Sequence, residues 1–431
     1  MKRLVAPILF CAILVGARPS YAQGGPETLE FSFSNPGARS IGLGGAFVAL
    51  ADDATAVYSN PGGLVQLARP EISIDGRFWS YSTPFTAGGQ VLGGASGLRS
   101  GVSREAIPGI SFLSFVYPKD DWSFAVYRHQ SANFESSSET QGFFASNPQT
   151  EESIRFDDIR RLTNLDIVTY GFSGAYRFSE DFSAGAAVVY HVGESLNVTE
   201  FYAPIEETLP EGPLGLNSFS PQALTNAQTL STDDSDWGLN AGFLWHLSEQ
   251  WSFGGVFRDG PRLVFIVEDV AGPANDFGVP PGTIVDSGEG EIKLPNVFGL
   301  GVAFRSVDGT WTTSFEWDFV QYSSVVTSLP PEAVSDGIVI DDANELRFGV
   351  EYVFLASTPV IALRGGVWLD PDHKVRFEGD SAFTRAVFQP GVDEVHFSAG
   401  VGVAFRKFQI DFGGDISDSV KTVSLSAILS F

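Results

Sequence analysis

The sequence predicts an all-β fold: a 14-stranded antiparallel transmembrane β-barrel with an N-terminal hatch, or plug, in its lumen. Three observations carry this reading. Segments of about ten residues alternate between apolar side chains and small or polar ones. The connections between these segments are alternately short and long. Outward aromatic residues gather beside the short connections.

The chain begins with a segment that is expected to be removed. Lys2 and Arg3 precede an apolar run over 4–15, and Ser20-Tyr21-Ala22 supplies small residues at a cleavage site, so residues 1–22 read as a secretory signal peptide. The run is too short to span a bilayer. Cys11 and Met1 are the only Cys and Met, and both lie in this segment. The expected mature chain therefore has no thiol, which excludes disulfides, thiolate metal sites and cysteine nucleophiles. The formal charge of −26 becomes three units more negative once Lys2, Arg3 and Arg18 leave. Such acidity argues against a nucleic-acid partner, whose phosphates require Lys and Arg. It fits a solvated acidic surface.

Residues 70–431 read as the barrel, with strands expected at 70–81, 107–117, 122–132, 165–178, 182–194, 236–247, 250–268, 291–305, 310–323, 343–355, 359–370, 394–406, 408–416 and 420–431. In the fourth, Val168, Tyr170, Phe172 and Tyr176 oppose Thr169, Gly171, Ser173 and Arg177. In the last, Val423, Leu425, Ala427, Leu429 and Phe431 face out, with Ser424, Ser426 and Ser430 facing in. Short connections at 118–121, 179–181, 248–249, 306–309, 356–359 and 407 alternate with long ones at 82–106, 133–164, 195–235, 269–290, 324–342 and 371–393. That is the pattern of periplasmic turns and extracellular loops. Trp122, Tyr176, Phe178, Trp245, Trp251, Phe304, Trp311, Phe405 and Phe408 form an aromatic girdle beside the short turns. A soluble sandwich has no reason to sort loop length by side, and a closed barrel leaves no strand edge in lipid. The expected location is the bacterial outer membrane.

Residues 23–69 show no clean two-residue alternation and contain a helix-compatible stretch at 45–58. They start on the periplasmic side of a lumen that wall side chains alone cannot fill, since about eight strands is the limit for that. Folding inside as a hatch shelters Phe31, Phe33, Ile41, Leu43, Phe47 and Leu64. A detached tail would leave them in water.

The motifs of this segment are Asn35-Pro36-Gly37-Ala38-Arg39, Gly44-Gly45-Ala46-Phe47, Ala51-Asp52-Asp53-Ala54 and Ser59-Asn60-Pro61-Gly62-Gly63-Leu64. Together they resemble the hatch of the FadL family, outer-membrane transporters of long-chain fatty acids and other hydrophobic compounds. The stretch from Leu294-Pro295 through Gly299-Leu300-Gly301 to Trp311 and Trp317-Asp318 resembles a recurrent part of the same family. Gly62 departs from it, where Ala is usual. The resemblance implies a monomer that takes up a hydrophobic small molecule passively: capture among the extracellular loops, passage to a pocket between hatch and wall, and sideways release into membrane lipid through a kinked strand, expected to be the third. It also implies that Phe431, ending an alternating strand, is read by the barrel-assembly machinery.

Candidate ligand contacts are the apolar residues Phe31, Phe33, Phe143, Phe144, Phe201 and Tyr202, together with Arg258 or Arg364 as partner of a ligand carboxylate. The loop aromatics equally fit packing among loops, and the arginines an ion-pair network within the wall. Asp52 and Asp53 are expected to anchor the hatch to wall arginines or to cap its helix. No catalytic set, cofactor motif or metal-ligand spacing emerges: Gly42-Leu43-Gly44-Gly45 lacks the third glycine of a dinucleotide loop, and the five His are scattered. Asp233, Asp234, Asp236, Asp341 and Asp342 could hold Ca²⁺ but read as a solvated acidic face. A second functional class stays open, since partner-binding barrels of a secretion system (PorV-like) share the Gly-Gly-Ala-Phe-Val-Ala-Leu-Ala-Asp-Asp-Ala style of N-terminal segment. A barrel enzyme finds no Ser-His-acid arrangement.

Overall fold

The computed structural model describes residues 35–92, 97–146, 153–204, 219–328, 337–381, 384–385 and 388–431. The signal segment, Phe31 and Phe33 lie outside the described residues.

Fourteen antiparallel strands follow one another around a closed wall. They are β1 Glu71–Leu92, β2 Leu98–Lys119, β3 Trp122–Thr140, β4 Asp158–Arg177, β5 Phe182–Tyr202, β6 Leu224–His246, β7 in two pieces (Trp251–Arg258 and Arg262–Ala271), β8 in two pieces (Ile284–Lys293 and Val297–Arg305), β9 Trp311–Val320, β10 Ala343–Phe354, β11 Val360–Asp370, β12 Glu394–Ala404, β13 Phe408–Ile416 and β14 Val420–Ser430. Pairing of β1 with β14, from Glu71↔Ser430 to Tyr81↔Val420, closes the ring. Closure leaves no terminal strand with a free edge, as the hydrocarbon core demands.

Side chains sort as the alternation requires. Val423, Leu425 and Leu429 are exposed to the outside while Ser424 and Ser426 are buried inside. The girdle forms ring pairs across neighbouring strands: Trp122 with Tyr176 at 4.6 Å, Trp251 with Phe304 at 5.0 Å, Trp311 with Tyr352 at 4.7 Å and Phe405 with Phe408 at 4.3 Å between centroids. Such amphipathic rings hold the barrel at a membrane interface.

The long connections differ from expectation. Much of 82–106, 133–164 and 195–235 is strand, because β1 through β6 run well past the apolar band. Above the lipid, outward side chains face water, so sequences such as Glu135-Ser136-Ser137-Ser138-Glu139 lose the apolar face while the backbone ladder continues, Glu135↔Asn164 to Glu139↔Arg160. The expected seventh and eighth strands are each interrupted, at 259–261 and 294–296. Pro261 and Pro295 have no N–H for the ladder, and Leu294 N–H instead donates to the Pro261 carbonyl at 2.9 Å.

Residues 35–67 sit inside the barrel and are nearly all buried. The stretch 45–58 is not one helix. It is mostly turns, with only the start of helix α2 (Ala56–Ser59) inside it; helix α1 (Ala38–Gly42) precedes it and a 3-10 turn over Pro61–Gln66 follows. Gly44 and Gly45 have φ of 65° and 80°, and Ala51 has 37°, so the backbone turns left-handed where a helix would have to continue.

Candidate functional site

The plug is held by polar groups that come from the inward face of the wall. Glu316 on β9 accepts the N–H groups of Phe47 and Val48, both at 2.7 Å, through one oxygen, and the Asn35 amide at 3.2 Å through the other. These are backbone donors of a turn that no helix satisfies, and a charged acceptor makes such bonds short and strong. Arg39 on α1 forms a two-pronged bond with Glu351 on β10, 3.1 Å on each arm, and reaches Asp52 at 2.5 Å. Asp52 also meets Arg305 of β8 at 2.7 Å. Burial pushes the Asp52 carboxyl up, but Arg39 and Arg305 together outweigh it and hold it well below the ordinary range. Asp53 moves the other way: burial raises it, and only partial relief comes from Arg39 and from the Thr55 N–H and hydroxyl bound to its Oδ1. Asp52 therefore anchors to the wall, while Asp53 caps the turn into α2.

Backbone also meets backbone. Inward-facing glycines of the wall stand where the plug touches it: Gly349 under Leu43, Gly413 under Ala38 and Gly242 under Asn60. A methyl group at Gly185 would stand 2.6 Å from the Pro61 carbonyl oxygen, inside van der Waals contact. The Asn60 amide crosses one such approach, donating to the Val48 and Phe243 carbonyls at 2.8 and 2.9 Å.

Among the described residues, two cavities between plug and wall bear on transport. The first is floored by Ile41, Gly44 and Gly45 and walled by Trp79 and Tyr81 of β1 and by Trp368 and His396 of β11 and β12. The Trp368 and His396 rings stack at 3.8 Å, and the Arg347 guanidinium lies 4.1 Å from the Trp368 ring. Most polar groups here are tied back into the wall, while Asp370 Oδ1 and His396 Nε2 make no hydrogen bond among the described residues. Asp415 takes His396 Nδ1 at 2.6 Å, Trp368 Nε1 at 3.0 Å and the Ser398 hydroxyl at 2.9 Å, and Arg347 donates to Asp318 at 3.1 Å and to Glu345. Aromatic faces are what the cavity presents.

The second cavity runs from Ser131 and Ala132 on β3 past Tyr58 and Arg258 to Gly260-Pro261 and Leu294-Pro295. Arg258 donates to Asn35 Oδ1 at 2.8 Å and to the Ser59 carbonyl at 2.9 Å, and covers the Tyr58 ring at 5.0 Å. Its Nη1 has no partner among the described residues. At the β3 end the wall is incomplete. β2 and β3 pair from Lys119↔Trp122 only to Phe112↔His129, although both strands continue, and β3 shifts register against β4 between Gln130 and Ala132.

The sequence-derived contacts fall in different places. Arg258 lines a cavity. Arg364 donates instead to Glu351 at 2.6 Å and Asp411 at 2.7 Å, inside the wall network. Phe143 packs on Phe156 at 5.5 Å, Phe144 lies under Arg155 at 5.8 Å, and Tyr202 meets Phe219 edge-on at 5.3 Å, so the loop aromatics cover one another. Phe201 is buried beside them. The sequence reading missed Trp79, Tyr81 and Trp368. The available signal was their parity: each is a large aromatic at a lumen-facing position. Among the described residues no cluster of His, Cys, Asp or Glu is placed to hold a metal ion. Asp341 pairs with Arg376, and Asp342 caps the Ser323 N–H.

A family model described as outer membrane protein transport protein (OMPP1/FadL/TodX) matches residues 24–415. Among curated proteins no sequence matches significantly. Solved structures with the same fold include a Pseudomonas aeruginosa FadL homologue, 14% identical, covering 94% of this chain and 99% of that one with a TM-score of 0.63. The P. putida toluene transporter TodX is also 14% identical, covering 93% and 99% with a TM-score of 0.59. The Ralstonia pickettii toluene transporter TbuX is 14% identical, with the same coverage and a TM-score of 0.57.

Proposed function

This chain belongs to the OMPP1/FadL/TodX family of outer-membrane transport proteins, and from that premise we propose that it takes up an uncharged hydrophobic small molecule passively, gated by residues 23–69 as a hatch. The observation that carries the proposal is the first cavity, an aromatic-walled space set between hatch and wall, in which Asp415 and Arg347 are tied back and the other lining charge is the acidic Asp370. Between a long-chain fatty acid and a neutral compound, these walls favour the neutral one. A carboxylate there would lose hydration and meet Asp415 and Asp370 while Arg347 is already bound to Asp318 and Glu345.

In this mechanism the ligand descends from the loops into the first cavity. The Asn35–Arg258 contact, which lies between the two cavities, then yields, and the ligand passes beside Tyr58 into the second. Exit is sideways, through the open ladder between β2 and β3 above Phe112↔His129. A lateral route never carries an apolar solute through the polar periplasmic end of the lumen. Its destination is lipid, where transfer is favourable by about 0.8 kcal/mol per methylene. The hatch needs to move only locally, since its wall contacts are separate bonds rather than one continuous sheet.

Uptake by cells lacking the chain, with and without it restored, tests the reading with a labelled monoaromatic hydrocarbon, an alkane and a long-chain fatty acid. Faster uptake of the neutral compounds on restoration is expected. Equal rates for all three compounds with and without the chain would remove the transport claim.

A further inference from the structure

Strand β7 leaves the wall and returns to it. The β6–β7 ladder runs from His246↔Ser252 to Asn240↔Arg258, and resumes at Ser231↔Ile266. Between those points, 232–239 of β6 and 259–265 of β7 form no ladder pairs with each other, although 232–239 stays paired with β5 and 262–265 with β8. A β-bulge opposes two residues to one; here two stretches of nearly equal length separate altogether. This part of β7 is separated from β6 and held by β8 alone, with its Leu263 side chain turned inward. Leu263 is buried, clusters with Ala132, Ile167 and Leu294, and reaches across β6 to β5, where a methyl at Gly193 would stand 2.5 Å from it. Gly193 itself pairs with Asp234 of β6.

Side chains replace the missing ladder. Asp236 accepts the Arg262 N–H at 2.8 Å, Asp234 the Val264 N–H at 2.8 Å, and Asn240 the Asp259 N–H at 3.2 Å. Side-chain acceptors rotate away at far less cost than backbone, so this seam is joined by movable groups. Outside it, Trp237 and Leu239 of β6 are exposed apolar residues, 68% and 50%. Trp237 lies eight residues above the girdle residue Trp245, about 20 Å along the normal for a tilted strand. The seam therefore opens at the outer leaflet. Inside it, Gly260 and Pro261 line the second cavity, whose opposite end is Ser131 at the β3 break.

We propose that the β6–β7 seam is a second lateral portal for the hydrophobic ligand, with the Asp234 and Asp236 carboxylates as its latch. This rests on the lateral-exit reading above, and deepens it by giving the second cavity two openings into lipid. Passage releases the Val264 and Arg262 amides, lets the ligand slide past Leu239 and Trp237, and reforms both bonds behind it.

Two disulfide staples separate the claims, each in a chain with Cys11→Ser. Gly238→Cys with Asp259→Cys spans the β6–β7 seam, since a methyl at Gly238 would lie 3.2 Å from the Asp259 carboxylate. Glu105→Cys with Ser137→Cys spans β2–β3, where the native side chains meet at 3.1 Å. Initial uptake of a labelled monoaromatic hydrocarbon is compared in oxidised and reduced cells, with barrel folding checked by heat-dependent gel mobility and closure of each bridge by loss of thiol labelling. Oxidising the 238–259 staple is expected to slow uptake about threefold or more, reversibly, as for any gate that limits release. Unchanged uptake with that staple, alongside loss with the 105–137 staple, overturns the second portal and leaves the β3 exit standing. Unchanged uptake with both overturns lateral exit itself. Should the 238–259 pair fail to fold, Leu239→Cys bearing a bulky membrane-soluble maleimide decides the same question: slowed uptake supports the portal, and unchanged uptake overturns it.

Discussion

Asn35 and Arg258 are joined by a 2.8 Å hydrogen bond, and each lines a different cavity. Asn35 is also the point where three walls converge on the plug. Its amide donates to the Gly45 carbonyl and Glu316, and its own carbonyl accepts from Arg77 at 2.9 Å. A residue so placed can act as the partition between cavities, because moving it breaks bonds to β1, β7 and β9 together.

Asn35→Ala should lower the stability of the folded barrel by about 1–3 kcal/mol, the cost of leaving buried partners without a bond, and should connect the two cavities. Thermal unfolding in detergent reads the first effect. Planar-bilayer conductance, rising from near zero, reads the second; a variant as closed as the native chain would show that Asn35 does not partition the lumen.

Glu316→Leu removes the acceptor of two buried N–H groups, those of Phe47 and Val48. The expected result is a plug that becomes accessible from the periplasmic side, seen as faster protease cleavage within 35–67, while the barrel keeps its heat-dependent gel mobility. Glu316→Gln, which retains an oxygen acceptor, should be milder.

Gly349→Val should displace α1, because its side chain would meet the Leu43 backbone, whereas Gly365→Ala should be silent, with no atom within 4 Å of the added methyl. Antibiotic sensitivity of whole cells distinguishes them. Equal sensitivity of the two strains would mean the close approach at Gly349 does not hold the plug.

Acid should loosen the plug through Asp52. Its folded-state pKa is held below the ordinary 3.8, so its contribution to stability is present above that value and is lost as pH falls below it toward the folded pKa. Asp53, raised by burial, has the opposite sign: its contribution is present below the ordinary value and falls as pH rises through the raised pKa. Conductance should therefore increase below about pH 4, the increase should vanish in Asp52→Asn, and it should persist in Asp53→Asn.

Trp368→Ala should weaken binding of a monoaromatic ligand about two- to tenfold, the order expected for losing one aromatic contact of about 0.5–1.5 kcal/mol, with little change at Arg364→Lys, whose partners are Glu351 and Asp411. Calorimetry on the detergent-purified barrel measures both. A larger loss at Arg364 would return the ligand to the wall network.

Strand number, facing and order were legible from residues alone, because lipid and lumen impose opposite requirements on successive side chains. Val423 and Ser424 differ for that local reason. The same logic failed above the membrane, where Glu135 and Ser136 both meet water or protein and the alternation carries no information. It also failed at the breaks: Pro261 and Pro295 marked interrupted strands, but nothing local says that 259–265 separates from β6.

The site was only partly readable for a related reason. The motifs at Asn35, Arg39, Asp52 and Asn60 marked the plug, whereas Arg258, expected as a partner of a ligand carboxylate, lines a cavity while bonded to Asn35 and Ser59. Which acid meets Phe47, which glycine admits Leu43, and which aromatics wall the first cavity depend on residues hundreds of positions apart. The sequence by itself determined that this chain is a membrane barrel with an internal plug, since solvent contact acts on each side chain separately. Only the tertiary structure decided where the cavities and wall openings lie, because these are gaps between elements and belong to no single stretch of chain.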